Sequence, residues 1–188
     1  MRRALAAALV AAALAVSAPA LAGSLTTSRY DREIHAAASR WMIGVPWKYW
    51  KAQIFQESRF DPNAVSPVGA RGLAQIMPGT WREISRALRW KAVTPDMAGP
   101  AIEGGAWYMG RQLAFWRAPR PDIDRLRLAQ ASYNAGAGNL AKAQRLCGGR
   151  NLYCEIVACL PRVTGRYSAE TITYVRRIAR WYSALVAS

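Results

Sequence analysis

The run Gln56-Glu57-Ser58-Arg59-Phe60-Asp61-Pro62-Asn63-Ala64, followed by Gly69-Ala70-Arg71-Gly72-Leu73-Ala74-Gln75-Ile76-Met77-Pro78, decides how this chain is read. Just upstream, Trp50, Ile54 and Glu57 fall at i, i+4 and i+7, so on a helix they share one face. A carboxylate therefore stands at the end of an apolar helical run, beside the hydroxyl of Ser58. The next residues, 60–72, hold Asp61-Pro62, Ser66-Pro67 and two glycines, which predicts a loop. Gln75 follows it, and a later Ser132-Tyr133-Asn134-Ala135-Gly136 forms a third polar cluster on an otherwise core-like chain.

Outward from that run the pattern is helical. Ile34, Ala38, Trp41 and Met42 mark a helix over 31–42. Pro46 suits the first turn of the next helix, where its missing N–H costs nothing. A short helix is predicted over 79–88, carrying Trp81, Ile84 and Leu88. Another, marked by Ile102, Ala106, Met109, Leu113 and Trp116, ends near Arg117. Residues 122–134 read as a helix with acidic residues in its first turn. The sequence Ala135-Gly136-Ala137-Gly138 breaks it, and 139–146 resumes as a short helix. Ile172, Val175, Ala179 and Tyr182 line one side of a final helix over 169–185. Strand signals are weak, with room for one small two-stranded element around the 62–72 loop. No internal repeat or long linker divides the chain, which predicts a single, mainly α domain.

Residues 1–22 read as an export signal. Met1-Arg2-Arg3 is a positive start, the Ala/Leu/Val run over 4–16 is too short to span a bilayer, and Ala20-Leu21-Ala22 supplies small residues for cleavage before Gly23. Export to the periplasm is the expectation, and 23–188 is the folded domain. The net charge is +15 over 188 residues and remains strongly basic without Arg2 and Arg3. Such a field attracts polyanions and weakens with salt. An exported protein first meets wall peptides bearing carboxylates and anionic membrane surfaces; no nucleic-acid motif accompanies the charge. Cys147, Cys154 and Cys159 lie in one short segment, and three thiols leave one over. Either Cys147–Cys159 or Cys147–Cys154 would close a small loop. The one histidine, His35, lies far from them in sequence, which argues against zinc. No metal and no organic cofactor is expected.

Cleaving a glycosidic bond requires a proton on the leaving oxygen as an oxocarbenium-like centre develops. A glutamate ordinarily titrates too low for that, and a rise of about two pH units, on the order of 2.7 kcal/mol, is needed. Desolvation by apolar neighbours supplies such a rise, and Glu57 on the Trp50/Ile54 face is placed for it. Arg59 and Arg71 would oppose it if they came close. Trp47, Trp50, Trp81 and Trp107 are candidate sugar-stacking platforms, with core packing the better default for most of them.

Taken in order, Glu57-Ser58, Gly72-Leu73-Ala74-Gln75, Tyr133-Asn134-Ala135-Gly136 and Glu170-Thr171-Ile172-Thr173-Tyr174-Val175 closely resemble the soluble lytic transglycosylase catalytic domain, a goose-lysozyme-like family. The resemblance runs from about residue 46 to 180. It implies a lysozyme-like fold with a saccharide-binding groove, acting on peptidoglycan glycan strands at the MurNAc–GlcNAc β-1,4 bond. Carried over by motif, Glu57 is the catalytic acid/base. Ser58 helps position the substrate and the glutamate, Gln75 lines the groove, and Tyr133 faces the reacting sugar. Asn134 and Glu170 complete the substrate-binding set. The family usually has methionine where Ala74 stands, so alanine implies a shorter groove wall.

Glycosidases that hydrolyse generally use two carboxylates. No second acid lies in the three groove motifs, and Asp61 reads as a turn residue beside Pro62. The single acid fits the family's chemistry, in which the sugar's own C6 hydroxyl closes a 1,6-anhydro ring. The competing readings are a hydrolytic muramidase and a wall-binding accessory module without turnover. Wall recycling, secretion machinery and phage lysis are all compatible with the sequence.

Overall fold

The computed structural model describes residues 24–188, so the export signal expected over 1–22 lies outside the described residues. Nine helices form among them: α1 (Asp31–Trp41), α2 (Trp47–Ser58), α3 (Pro78–Ala87), α4 (Ala98–Phe115), α5 (Asp122–Ala135), α6 (Ala137–Leu146), α7 (Tyr153–Ala158), α8 (Pro161–Thr164) and α9 (Tyr167–Ala187). No described helix is long and apolar enough to cross a membrane. The small β element is reduced to two isolated antiparallel bridges, Val65 with Arg71 and Arg71 with Ile76.

The largely buried helix α2 packs against both α1 and α9, while α4 packs against α1 and α5. Trp50 and Ile54 are fully buried, as are Ile34, Met42, Leu73, Ile84, Ile102, Met109, Leu128 and Leu140. Each such aliphatic side chain contributes about 1.5–3 kcal/mol when taken from water. The neighbours of α2 approach closely because α4 carries glycines. A Cβ on Gly105 would lie 2.8 Å from the Trp50 ring, and one on Gly110 would lie 2.2 Å from the Trp41 carbonyl oxygen. Glycine inside a helix costs about 0.5–1 kcal/mol relative to alanine. Here it admits a tryptophan and a helix end that no larger residue would.

Pro46 sits at the N-cap of α2, just ahead of the first turn expected for it. At the other end the helix stops abruptly. Arg59 and Phe60 both have positive φ, 55° and 62°, which is uncommon for residues with side chains. Arg59 N–H bonds the Phe55 carbonyl, and its guanidinium lies over the rings of Phe55 and Trp181. Phe60 is buried against Tyr30 and Phe55. These contacts offset the backbone strain, on the order of 1–3 kcal/mol per residue. The result fixes Glu57 in the last turn of a buried helix.

The 135–138 break is tighter than its composition suggests. Gly136 alone, at φ 85°, separates α5 from α6. Helices α7 and α8 have no counterpart in the sequence-based expectation. A disulfide joins Cys147 to Cys159, at a Cα–Cα distance of 5.8 Å, and binds the end of α6 to the end of α7. Cys154 is the thiol left over and is exposed.

Candidate active site

Three helices bring polar groups to Glu57. From α9, the Tyr174 hydroxyl donates to Glu57 Oε1 at 2.5 Å. From α5, Tyr133 approaches closely enough that the Glu57 charge raises its affinity for its proton. Tyr133 in turn touches Tyr108 of α4, ring centres 5.3 Å apart, and Trp50 of α2, at 6.2 Å. Glu57 as a residue is partly exposed, but its carboxyl is enclosed by this aromatic wall.

That enclosure governs the proton. Burial pushes Glu57 up from an ordinary 4.5 to about 8, against the hydrogen bond from Tyr174, which favours the carboxylate and lowers it. Glu57 is therefore protonated at neutral pH. Tyr133 and Tyr174 are both raised well above 10.0, first by burial and then by the neighbouring Glu57 charge, so both remain neutral hydroxyl donors.

The two arginines of the opening run stay out of this balance. Arg59 is held over Phe55 and Trp181, and Arg71 pairs with Asp96 at 3.0 Å. Asp61 accepts the backbone N–H of Asn63 at 2.9 Å, a turn-forming role.

The loop that faces the site is built by its own backbone and one amide. Gly72 has φ 74°, and a Cβ there would sit 1.8 Å from the Pro95 carbonyl oxygen. Gln75, at φ 45°, is buried, and its Nε2 donates to the carbonyls of Ala64 and Gly72, both at 3.0 Å. The Tyr133 hydroxyl donates to the Ala74 carbonyl at 2.8 Å, tying this loop to α5. Ala74 itself is fully buried, and its Cβ packs at Gly105 of α4. The short groove wall expected at this position is therefore an interior helix contact.

The expected site residues thus divide by position. Glu57 and Tyr133 come together at the centre. The buried Ser58 turns its hydroxyl back to the Ile54 carbonyl at 3.4 Å. Gln75 secures the loop. Asn134 accepts from Thr171 at 2.7 Å, joining α5 to α9. Glu170 is partly exposed in the first turn of α9, beside Thr171. Trp50, Trp81 and Trp107 are buried in the core, in keeping with packing as their default role. Trp47 is half-buried against His35. Tyr174 and Tyr108 were not among the expected site residues. Tyr174 lies inside the last quoted motif, four residues after Glu170, and only the packing of α9 on α2 shows which group it meets. Among the described residues, no group of three His, Cys, Asp or Glu side chains is arranged to hold a metal ion.

A buried acid flanked by tyrosines can arise on several folds, and the comparison with known proteins decides between them. The model for the transglycosylase SLT domain matches residues 34–152. The chain belongs to that family. Among relatives of the SLT domain, Membrane-bound lytic murein transglycosylase F of Marinobacter nauticus is 34% identical over 160 residues, covering 76% of this chain and 30% of that protein. The protein of the same name from Shewanella pealeana is 30% identical over 166 residues, covering 80% of this chain and 33% of that one. Among solved structures, the 70 kDa soluble lytic transglycosylase from Escherichia coli superposes with a TM-score of 0.66 at 25% identity, over 82% of this chain and 23% of that chain. An inactive mutant of lytic transglycosylase Slt from Pseudomonas aeruginosa gives a TM-score of 0.66 at 25% identity, over 84% and 24%. The chain spans about a third of the length of these curated relatives. It shares their mainly helical, lysozyme-like SLT fold. The family match stops before α9, so Tyr174 reaches the SLT site from outside the matched segment.

Proposed function

We propose that this SLT domain is a peptidoglycan lytic transglycosylase that cleaves the MurNAc–GlcNAc β-1,4 bond with Glu57 as its single acid and base. The observation that carries the reading is Glu57 itself, held protonated to about pH 8 by burial while Tyr174 grips one of its oxygens. Protonated Glu57 gives its proton to the glycosidic oxygen, and the C1–O bond breaks as the leaving sugar departs as an alcohol. The N-acetyl group of MurNAc supports C1 during this step. The resulting Glu57 carboxylate takes the proton of the MurNAc C6 hydroxyl, whose oxygen bonds to C1 and closes the 1,6-anhydro ring. Glu57 ends protonated and ready for the next strand. Because the nucleophile belongs to the substrate, its effective concentration is high without an activated water.

Tyr174 supports both states of the acid: its O–H stabilises the carboxylate formed in the first step without competing for the proton. Tyr133 and its bond to Ala74 set the distance between the loop and the acid. The remaining motif residues, Ser58, Gln75, Asn134 and Glu170, are proposed to frame the glycan around Glu57. Export of the chain to the periplasm through residues 1–22, and glycan strands of the wall as its partner, belong to the same proposal.

Mass spectrometry of purified peptidoglycan digested by the protein tests it. The expected fragments end in an anhydro sugar, one water lighter than hydrolytic ends, and Glu57→Gln releases none. Reducing ends alone would identify a hydrolase. Unchanged release by Glu57→Gln would leave the acid elsewhere.

A further inference from the structure

Gln53 lies one helical turn before Glu57 on α2, so the two side chains project from the same face. It is fully buried, and neither amide atom reaches full hydrogen-bond geometry, although the amide stands close enough to the Tyr174 hydroxyl to act on it as a donor. Leaving a buried polar group unpaired costs about 1–3 kcal/mol, and a core position of this kind is ordinarily aliphatic. Its neighbour is the Tyr174 hydroxyl, to which the amide is near enough to favour the oxygen's negative character. That hydroxyl commits its hydrogen to Glu57 Oε1 and leaves its oxygen's lone pairs to accept. The Gln53 amide N–H is the donor placed to reach it.

We propose that Gln53 is a positioning residue for the acid: its amide N–H group aims the Tyr174 hydroxyl at Glu57 and strengthens that donation as Glu57 loses its proton. When Glu57 becomes a carboxylate, the chain Gln53 N–H to Tyr174 O–H to Glu57 polarises along its length, and each bond reinforces the next. Gln53 touches no substrate and acts only through Tyr174.

The groups that face this chain are few. From α5 comes Tyr133, from α4 comes Tyr108 behind it, and Glu83 and Arg111 act on Tyr108 in opposite directions. Arg59, on the same helix end, points to Phe55 and Trp181. None of these is altered by a change at Gln53, so a shift in Glu57 reports on the amide.

The inference rests on Glu57 as the acid, and it is tested by a measurement that does not depend on turnover. The Glu57 carboxyl carbon is titrated by ¹³C NMR in the wild-type protein, Gln53→Met, Tyr174→Phe and the double variant. Methionine matches the volume of glutamine without its polar atoms, and Gln53→Leu repeats the test if the first variant loses helix content. The expected result is a Glu57 midpoint raised by about one unit in Gln53→Met, from loss of a stabilised carboxylate. In the Tyr174→Phe background the Gln53 change then moves it no further. A midpoint unmoved by Gln53→Met would overturn the proposal, and so would an equal shift with and without Tyr174. If the titration behaves as expected but Glu57→Gln still cleaves glycan, the amide relay stands and the catalytic reading falls.

Discussion

Replacing Glu57 with glutamine removes a group whose ionisation the fold resists, and this makes stability a direct reporter of its state. The folded protein holds the Glu57 proton to about pH 8, whereas the ordinary value is 4.5. Below pH 4.5 both folded and unfolded chains carry the proton, and Glu57 contributes no pH dependence. Between 4.5 and about 8 the unfolded chain releases a proton that the folded chain keeps, so wild-type stability falls as pH rises. Above 8 both are ionised and the loss is constant. At 1.36 kcal/mol per unit, the rise from 4.5 to about 8 corresponds to roughly 5 kcal/mol at its full extent. Relaxation around the partly exposed residue reduces this to about 3–5 kcal/mol. Glutamine has nearly the same shape, can accept the Tyr174 hydrogen bond through its carbonyl, and does not titrate. Urea unfolding of both proteins at pH 5, 6, 7, 8 and 9, with the disulfide intact, isolates the effect, because all other groups titrate alike in the two proteins. The variant should gain on the wild type by about 1 kcal/mol per pH unit up to pH 8 and then hold its lead. A stability difference that does not change with pH would show that Glu57 is ionised in the folded protein, and the acid role would fail with it.

Two further outcomes concern the scaffold. Gly72→Ala should cost more than about 2 kcal/mol in urea unfolding, because its Cβ would meet the Pro95 carbonyl at 1.8 Å and its φ is 74°; Gly69→Ala, with φ 85° and nothing within 4 Å, should cost only about 1 kcal/mol. Cys147→Ser should lower stability by about 3 kcal/mol through loss of the 12-residue link to Cys159, while Cys154→Ser leaves the melting temperature unchanged.

Much of the fold was legible because long helices carry a strong period. Residues 31–42 and 169–185 repeat apolar side chains every three or four positions, 122–134 is marked instead by the acidic residues of its first turn, and each forms a helix with ends close to those expected. Helices α7 and α8, of 6 and 4 residues, are too short for that signal, and a disulfide and Pro161 set them instead. The abrupt end of α2 at Arg59 was also hidden, since neither Arg59 nor Phe60 suggests a left-handed conformation. At the site, the motif order located Glu57 and Tyr133, but not their partners. The face shared by Trp50, Ile54 and Glu57 was readable from spacing, whereas Tyr174 meets Glu57 across 117 positions of sequence. Gln75 was carried over by motif as a groove residue, and only the fold shows that its Nε2 also holds the carbonyls of Ala64 and Gly72. Whether Arg59 and Arg71 oppose a raised Glu57 depended on Trp181 and Asp96, which only the fold brings to them.

The claim on which the account turns is that Glu57 enters the reaction as an acid. The pH dependence of kcat/KM for release of anhydro-ended fragments from soluble glycan strands tests it most directly, since that ratio reports ionisations of the free enzyme. The account predicts a rate that is sustained through neutral pH and falls on the basic side with a midpoint of about 8, where the folded protein releases the Glu57 proton. A fall already complete by neutral pH, with its midpoint near 4.5, would mean an ordinary carboxylate and would contradict it.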